Sequence, residues 1–72
     1  MCGIIGISSN RSVSSSIINS LKKLEYRGYD SAGIATLSDG EINEFKSEGR
    51  VDSLEKNFDL KNLKGNIGIG HV

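Results

Sequence analysis

Seventy-two residues make one domain at most, and a chain that short buries only about 60% of the surface it exposes when unfolded, so stability is expected to be marginal. Nine Lys and Arg cancel nine Asp and Glu, with both signs scattered, which removes the basic footprint that nucleic acid requires. One Cys and one His can neither close an intrachain disulfide nor complete a tetrahedral zinc site, and no apolar run approaches the roughly 18 residues of a bilayer span or follows a charged n-region as in a signal peptide.

In chain order, Gly3 to Ser8 is a short β-branched apolar run, the length of a buried strand, whose glycines leave room for neighbours to pack close. Asn10, Ser12 or a nearby Ser is a candidate cap for a helix in which Val13, Ile17, Ile18, Leu21 and Leu24 recur at intervals of three and four. That stripe is expected to lie on a sheet while Lys22, Lys23 and Glu25 face water, with Gly28 as the stop beyond the last turn. Ser31 to Leu37 and Glu41 to Ser47 read as two strands joined by Asp39-Gly40, a dipeptide that favours a tight antiparallel hairpin. Asp52 to Phe58 reads as a short second helix with Val51, Leu54 and Phe58 on one side. Asn66 to Val72 reads as a last strand with no terminating signal. The order implies an α+β or layered α/β domain with helices on one side of a sheet and the other face bare.

Cys2 carries the chemical interest. A lone cysteine beside an apolar run is ordinarily a small buried hydrophobe. Here it follows the initiator Met1 and precedes Gly3. A small side chain at the second position permits removal of Met1, which leaves thiol and free α-amine on one residue. An α-amine has an ordinary pKa of about 7.7–8.0 and is partly neutral at pH 7, so it can serve the thiol as a base without a His or Asp.

The opening Met-Cys-Gly-Ile-Ile-Gly and the run Leu24 to Gly33, Leu-Glu-Tyr-Arg-Gly-Tyr-Asp-Ser-Ala-Gly, closely resemble the glutamine–fructose-6-phosphate aminotransferases. The resemblance runs from Met1 to about His71 and covers the opening part of that family's class II glutamine amidotransferase domain. Amidophosphoribosyltransferases share a Cys-Gly opening and an Arg-Gly-x-Asp-Ser-Ala-Gly element, but typically have His before the Arg and Gln after the Gly. Tyr26 and Tyr29 favour the sugar enzymes.

The resemblance implies an N-terminal-nucleophile hydrolase fold, a four-layer α-β-β-α sandwich of which residues 1–72 hold only the opening strands and helices. It implies that Cys2 attacks the side-chain amide of glutamine to form a thioester, and that ammonia passes to a separate isomerase domain to make glucosamine 6-phosphate from fructose 6-phosphate. Arg27 and Gly28 match an Arg-Gly pair that helps position the cysteine. Gly28 can equally be a helix C-cap, and Arg27 a surface charge. Asp30 belongs to the motif without an assigned chemistry, Tyr26 and Tyr29 are expected to pack rather than bind, and His71 matches the His before a Thr-Arg-Trp element. No cofactor, metal, nucleic acid or membrane is expected. The setting implied is a reducing cytoplasm, which suits the unpaired thiol, and the full enzyme is expected to be a homo-oligomer.

The chain departs from the family after His71, where Thr and then Arg-Trp-Ala-Thr-His-Gly are expected and Val72 stands instead. That Arg is the expected holder of the glutamine α-carboxylate. The family's Asn-Gly oxyanion element and the Asp for the α-amino group lie further on, and losing one oxyanion donor costs about 10²–10³ in rate. The 72-residue chain alone is therefore expected to hold a nucleophile without a substrate pocket. The alternatives are a piece of an amidophosphoribosyltransferase-like or other class II amidotransferase, or a non-catalytic interaction module that pairs its bare face and unfinished last strand with a partner.

Overall fold

A computed structural model describes residues 2–72, with the side chain of Arg27 outside the described part. The elements are β1 (Ile4–Ser8), α1 (Ser14–Leu24), a 3-10 turn (Glu25–Arg27), β2 (Ser31–Ser38), β3 (Glu41–Glu48), α2 (Val51–Asn57) and β4 (Ile67–His71). The four strands form one sheet in the order β1-β4-β2-β3, with every neighbouring pair antiparallel.

The hairpin between β2 and β3 closes where expected. Asp39 (φ 53) and Gly40 (φ 78) both occupy the left-handed region, the conformation a two-residue turn needs to match strand twist, and Ser38 pairs with Glu41 across it.

β4 departs from the sequence reading. Far from being an unfinished edge, it lies inside the sheet, with His71 opposite Ile4 on one side and Gly33 on the other. The edges are β1 and β3. Glycine makes the central place workable, because α1 rests directly on β4: a Cβ added at Gly70 would come within 2.6 Å of Ile17 Cγ2 and 3.0 Å of Leu21 Cδ1. Close packing was expected of the glycines in the run Gly3 to Ser8: it holds at Gly3, where an added Cβ would lie 3.0 Å from Leu24 Cδ1, but Gly6 has nothing nearer than 3.9 Å. It lies on the uncovered face.

The apolar stripe of α1 is buried as its periodicity predicts, through Val13, Ile17, Ile18 and Leu21. The expected cap is replaced. Val13 occupies the N-cap position with no side-chain cap bond. Ser12 Oγ instead donates to the Leu63 carbonyl at 3.2 Å, and the Val13 N–H donates to the Gly65 carbonyl at 3.0 Å. The loop entering β4 thus accepts the Val13 N–H, one of the donors at the start of α1 that has no partner within the helix. In the same loop the Lys64 carbonyl accepts from Thr36 Oγ1 at 2.7 Å, which satisfies a fully buried hydroxyl on β2.

The second helix covers β2 and β3, burying Val51 and Leu54, while Phe58 beyond its end meets Phe45 with ring centroids 4.9 Å apart. Lys22 on α1 reaches across to Glu55 at 2.6 Å, and that hydrogen bond is the main reason its pKa is raised.

Strand alternation sends the remaining side chains to the opposite face. Ile4, Ile42 and Ile69 are 80%, 74% and 60% exposed there, with Leu37 and Ile67 beside them. The register sets Ile69 between Gly6 and Ala35, and Ile67 between Ser8 and Leu37, so these side chains form a continuous uncovered apolar surface. One sheet with helices on one face is half of the expected sandwich, and the bare face is present as read from the sequence.

Candidate active site

Position 2 is fixed by the strand that follows it. Gly3 and Val72 exchange two backbone hydrogen bonds, Gly3 N–H to Val72 O at 3.2 Å and Val72 N–H to Gly3 O at 3.0 Å, which carry the β1–β4 ladder one pair beyond β1. Alternation places Cys2 on the same side as Ile4, at the rim of the uncovered face. Its thiol is free and exposed, so the ordinary expectation of a small buried hydrophobe fails. Behind it, a Cβ added at Gly3 would stand 3.0 Å from Leu24 Cδ1, so the last turn of α1 rests against the backbone next to the thiol.

The motif that begins at Leu24 lies at this same end of the sheet. Ile4 and Gly33 both pair with His71, so β1 and β2 start side by side with β4 between them. After α1 the chain makes its 3-10 turn and reverses at Gly28, where φ is 118 and the N–H donates to the Glu25 carbonyl at 2.9 Å. Gly28 is therefore the stop that the sequence suggested, displaced by one 3-10 turn from the end of α1. The side chain of Arg27 and the fate of Met1, both parts of the expected site, lie outside the described residues.

Among the described residues, three connections join this motif to the start of α2. Glu25 Oε2 accepts the Val51 N–H at 2.6 Å, the Gly49 N–H donates to the Asp30 carbonyl at 2.8 Å, and the Arg50 guanidinium lies 4.5 Å from the centre of the Tyr29 ring. Sequence reasoning placed Glu25 in water and missed all three. The segments are more than 15 positions apart, and only the hairpin's return brings them together. Tyr26 is 83% exposed and Tyr29 about half, so the expectation that both are packing residues fails for Tyr26 and holds for Tyr29 only through Arg50. Asp30 contributes its backbone carbonyl.

His71 lies half-buried on the uncovered face, over Gly33. A Cβ at position 33 would collide with Nε2 and stand 2.9 Å from Cδ2, so the bare glycine is the seat of the ring. The ring borders a shallow hollow of about 140 Å³ lined by Ile4, Gly33, Ala35, Glu44, Lys46 and Ile69. Ligand pockets are commonly about 300–1,000 Å³, so this hollow does not enclose a substrate. Gly33→Ala is expected to displace the imidazole while the fold persists, since the ring has open space to move into. His71 ring shifts in NMR spectra should change with little movement of the urea midpoint, and unchanged shifts would contradict the contact.

Among the described residues, no three His, Cys, Asp or Glu side chains gather to hold a metal, and no helix is long and apolar enough to cross a membrane.

No protein-family model matches the chain. Over all 72 residues it is 55% identical to a protein of Bartonella henselae and 54% identical to one of Clostridium acetobutylicum, each named glutamine–fructose-6-phosphate aminotransferase (isomerizing). A protein of the same name from Pyrococcus horikoshii is again 55% identical. The chain spans only 12% of the length of these curated relatives. Among solved structures it superposes on the glutamine phosphoribosylpyrophosphate amidotransferase of B. subtilis, complexed with ADP and GMP, with a TM-score of 0.88 and 26% identity, covering all of this chain and 16% of that one. A structure described as the allosteric regulatory enzyme of purine biosynthesis gives a TM-score of 0.86, also at 26% identity, with 15% of that chain covered. The described residues thus share their α+β fold with part of these two amidotransferases, whose fold is of the N-terminal-nucleophile hydrolase type. Identity to the relatives named as sugar aminotransferases is about twice that to the two solved amidotransferases, in the same direction as the two tyrosines of the motif.

Proposed function

We propose that this chain, related over its whole length to the N-terminal region of the glutamine–fructose-6-phosphate aminotransferases, carries the nucleophile of a glutamine-hydrolysing domain. The observation that supports the reading most directly is the exposed, unpaired thiol on residue 2, held beside an anchored Gly3 at the end of the sheet where the motif turns.

With Met1 removed, the α-amine of Cys2 takes the thiol proton as sulfur attacks the side-chain amide carbon of glutamine, and the same proton goes to the departing ammonia. Water then attacks the thioester carbonyl, losing a proton to the amine, and glutamate leaves as the thiol is restored. The Arg27-Gly28 turn helps position the cysteine. In the whole protein the ammonia serves a separate isomerase domain that converts fructose 6-phosphate into glucosamine 6-phosphate. That protein is a cytoplasmic homo-oligomer which needs no cofactor for the glutamine half-reaction.

Residues 1–72 by themselves are an incomplete glutaminase. The shallow hollow beside His71 encloses no substrate, and the uncovered apolar face awaits a second layer. That face also motivates a second reading, a non-catalytic module in which the sheet binds a partner and Cys2 has no reaction to perform.

Treating the purified chain with a diazoketone analogue of glutamine at neutral pH separates the two. The expected result is an adduct on Cys2 that forms faster than on the free peptide Cys-Gly-Ile-Ile-Gly, with ammonia release from glutamine itself at background. Labelling no faster than the peptide favours the module, and turnover near that of an intact glutaminase refutes the claim of incompleteness.

A further inference from the structure

The geometry points to Glu25 as a positioning residue: by accepting the Val51 N–H, its carboxylate fastens the Arg27-Gly28 turn to the start of α2 and thereby sets the ground on which Cys2 stands. The inference rests on the reading of Cys2 as a nucleophile and adds a residue to which neither the motif comparison nor the relatives' names assign a role.

Glu25 opens the 3-10 turn directly after Leu24 and is half-buried. Its bond to Val51 spans 26 positions, is short at 2.6 Å, and joins a carboxylate to a backbone donor, the kind of hydrogen bond that is stronger than a neutral pair. The Val51 N–H stands in the first turn of α2, where backbone donors have no partner within the helix, and Glu25 supplies the acceptor. A helix cap alone would account for that much.

The placement of the other two ties goes further. Asp30 holds Gly49, and Tyr29 lies under Arg50, so residues 25 and 29–30 are both fixed to residues 49–51 with Arg27 and Gly28 between them. The turn is bracketed at both ends against one short segment. That segment is itself held firmly, because Val51 and Leu54 are fully buried and Lys22 bridges to Glu55 on the same helix. On its other side the turn continues from Leu24, whose side chain meets the backbone of Gly3. A displacement at Glu25 therefore reaches the residue next to the thiol through one side-chain contact.

The test uses the chain with Met1 removed, in unaltered, Glu25→Ala and Glu25→Gln forms. Backbone amide exchange is followed at Val51, Gly28 and Ile69, and alkylation of Cys2 by iodoacetamide is followed against pH. In Glu25→Ala, exchange at Val51 and Gly28 should rise together by about tenfold, the scale of one lost charged hydrogen bond, while Ile69 in β4 keeps its protection. The Cys2 alkylation rate should change by about threefold, with a displaced pH profile, since a loosened turn transmits only part of that loss. Glu25→Gln keeps an acceptor without the charge and should restore most of both. If Glu25→Ala fails to fold, Glu25→Gln carries the test, with the same coupled pattern at smaller amplitude expected. Faster exchange at Val51 with Gly28 and the Cys2 profile unchanged would overturn the inference and leave Glu25 as a cap of α2. A profile in the unaltered chain without an α-amine inflection would overturn the nucleophile reading instead, a failure distinguishable from the first.

Discussion

Ile17→Ala should cost the fold about 2–5 kcal/mol, the range for deleting a large aliphatic side chain from a core. Ile17 is fully buried, and its two branches lie over the glycines of β4. For a chain of 72 residues the whole stability is expected to be roughly 4–11 kcal/mol, so this one change removes a large share of it. Urea unfolding followed by circular dichroism reads the loss as a lower midpoint. The partner site makes the prediction sharper. Gly70→Ala pushes a methyl into Ile17 and should cost about 1–3 kcal/mol by overpacking. In the double variant the removed atoms include the one the new methyl meets most closely, so the combined loss should fall short of the sum by about 1 kcal/mol. Strict additivity would mean that Ile17 and Gly70 do not touch, and the packing of α1 on β4 would have to be redrawn.

That contact also shows what the sequence could and could not disclose. The stripe of α1 was legible because a helix repeats its buried positions every three or four residues, whatever it packs against. The Asp39-Gly40 hairpin was legible for a similar reason, since two adjacent residues determine the turn. The place of β4 was not. Nothing in Ile67 to His71 says which strands flank it, and an end without a stop signal looks the same for an edge strand as for a central one. The glycines at 68 and 70 were the available clue, because alternate glycines on one face of a strand make room for a helix. The candidate site divides along the same line. Cys2 and the Leu24-to-Gly33 motif could be picked out as residues with a particular chemistry and a family resemblance. Their common location depends on β1 and β2 starting together on either side of β4, and the hold of Glu25 on Val51 depends on the hairpin returning the chain to the motif. Local physics set the elements, and long-range register brought them together.

The exposed apolar face follows from the same accounting. A short chain with two helices can cover one side of a four-stranded sheet, and here both helices lie on the side where Ile34 and Thr36 are buried. The other side keeps five large aliphatic side chains in water, a surface of the kind that marks an interaction site. Cys2 lies at the rim of that surface, and a second layer placed over it would roof the hollow beside His71 and exclude water from the thiol end. Covering the face and completing the substrate pocket are thus one structural event in the proposed glutaminase.

Retention of Met1 should therefore be more damaging to the chemistry than any substitution near Cys2. With Met1 in place the nitrogen of residue 2 is an amide, which accepts no proton at neutral pH, and the sulfur loses the base on its own residue. General base assistance is worth about 10²–10⁴ in rate, so the processed form should react with an activated γ-glutamyl ester about a hundredfold faster than the retained form near pH 8. The two forms can be separated chemically, because 2-cyanobenzothiazole condenses only where thiol and free α-amine share a residue, and mass spectrometry reads the product. The pH profile supplies the second discriminator. The processed form should show an inflection near the ordinary α-amine range of about 7.7–8.0, and the retained form should lack it. Neither difference needs a completed glutamine pocket, because both concern the intrinsic pairing of sulfur and nitrogen on an exposed residue. Equal rates and identical profiles for the two forms would show that the terminal amine does not serve the thiol, and the base would have to be sought elsewhere on the face.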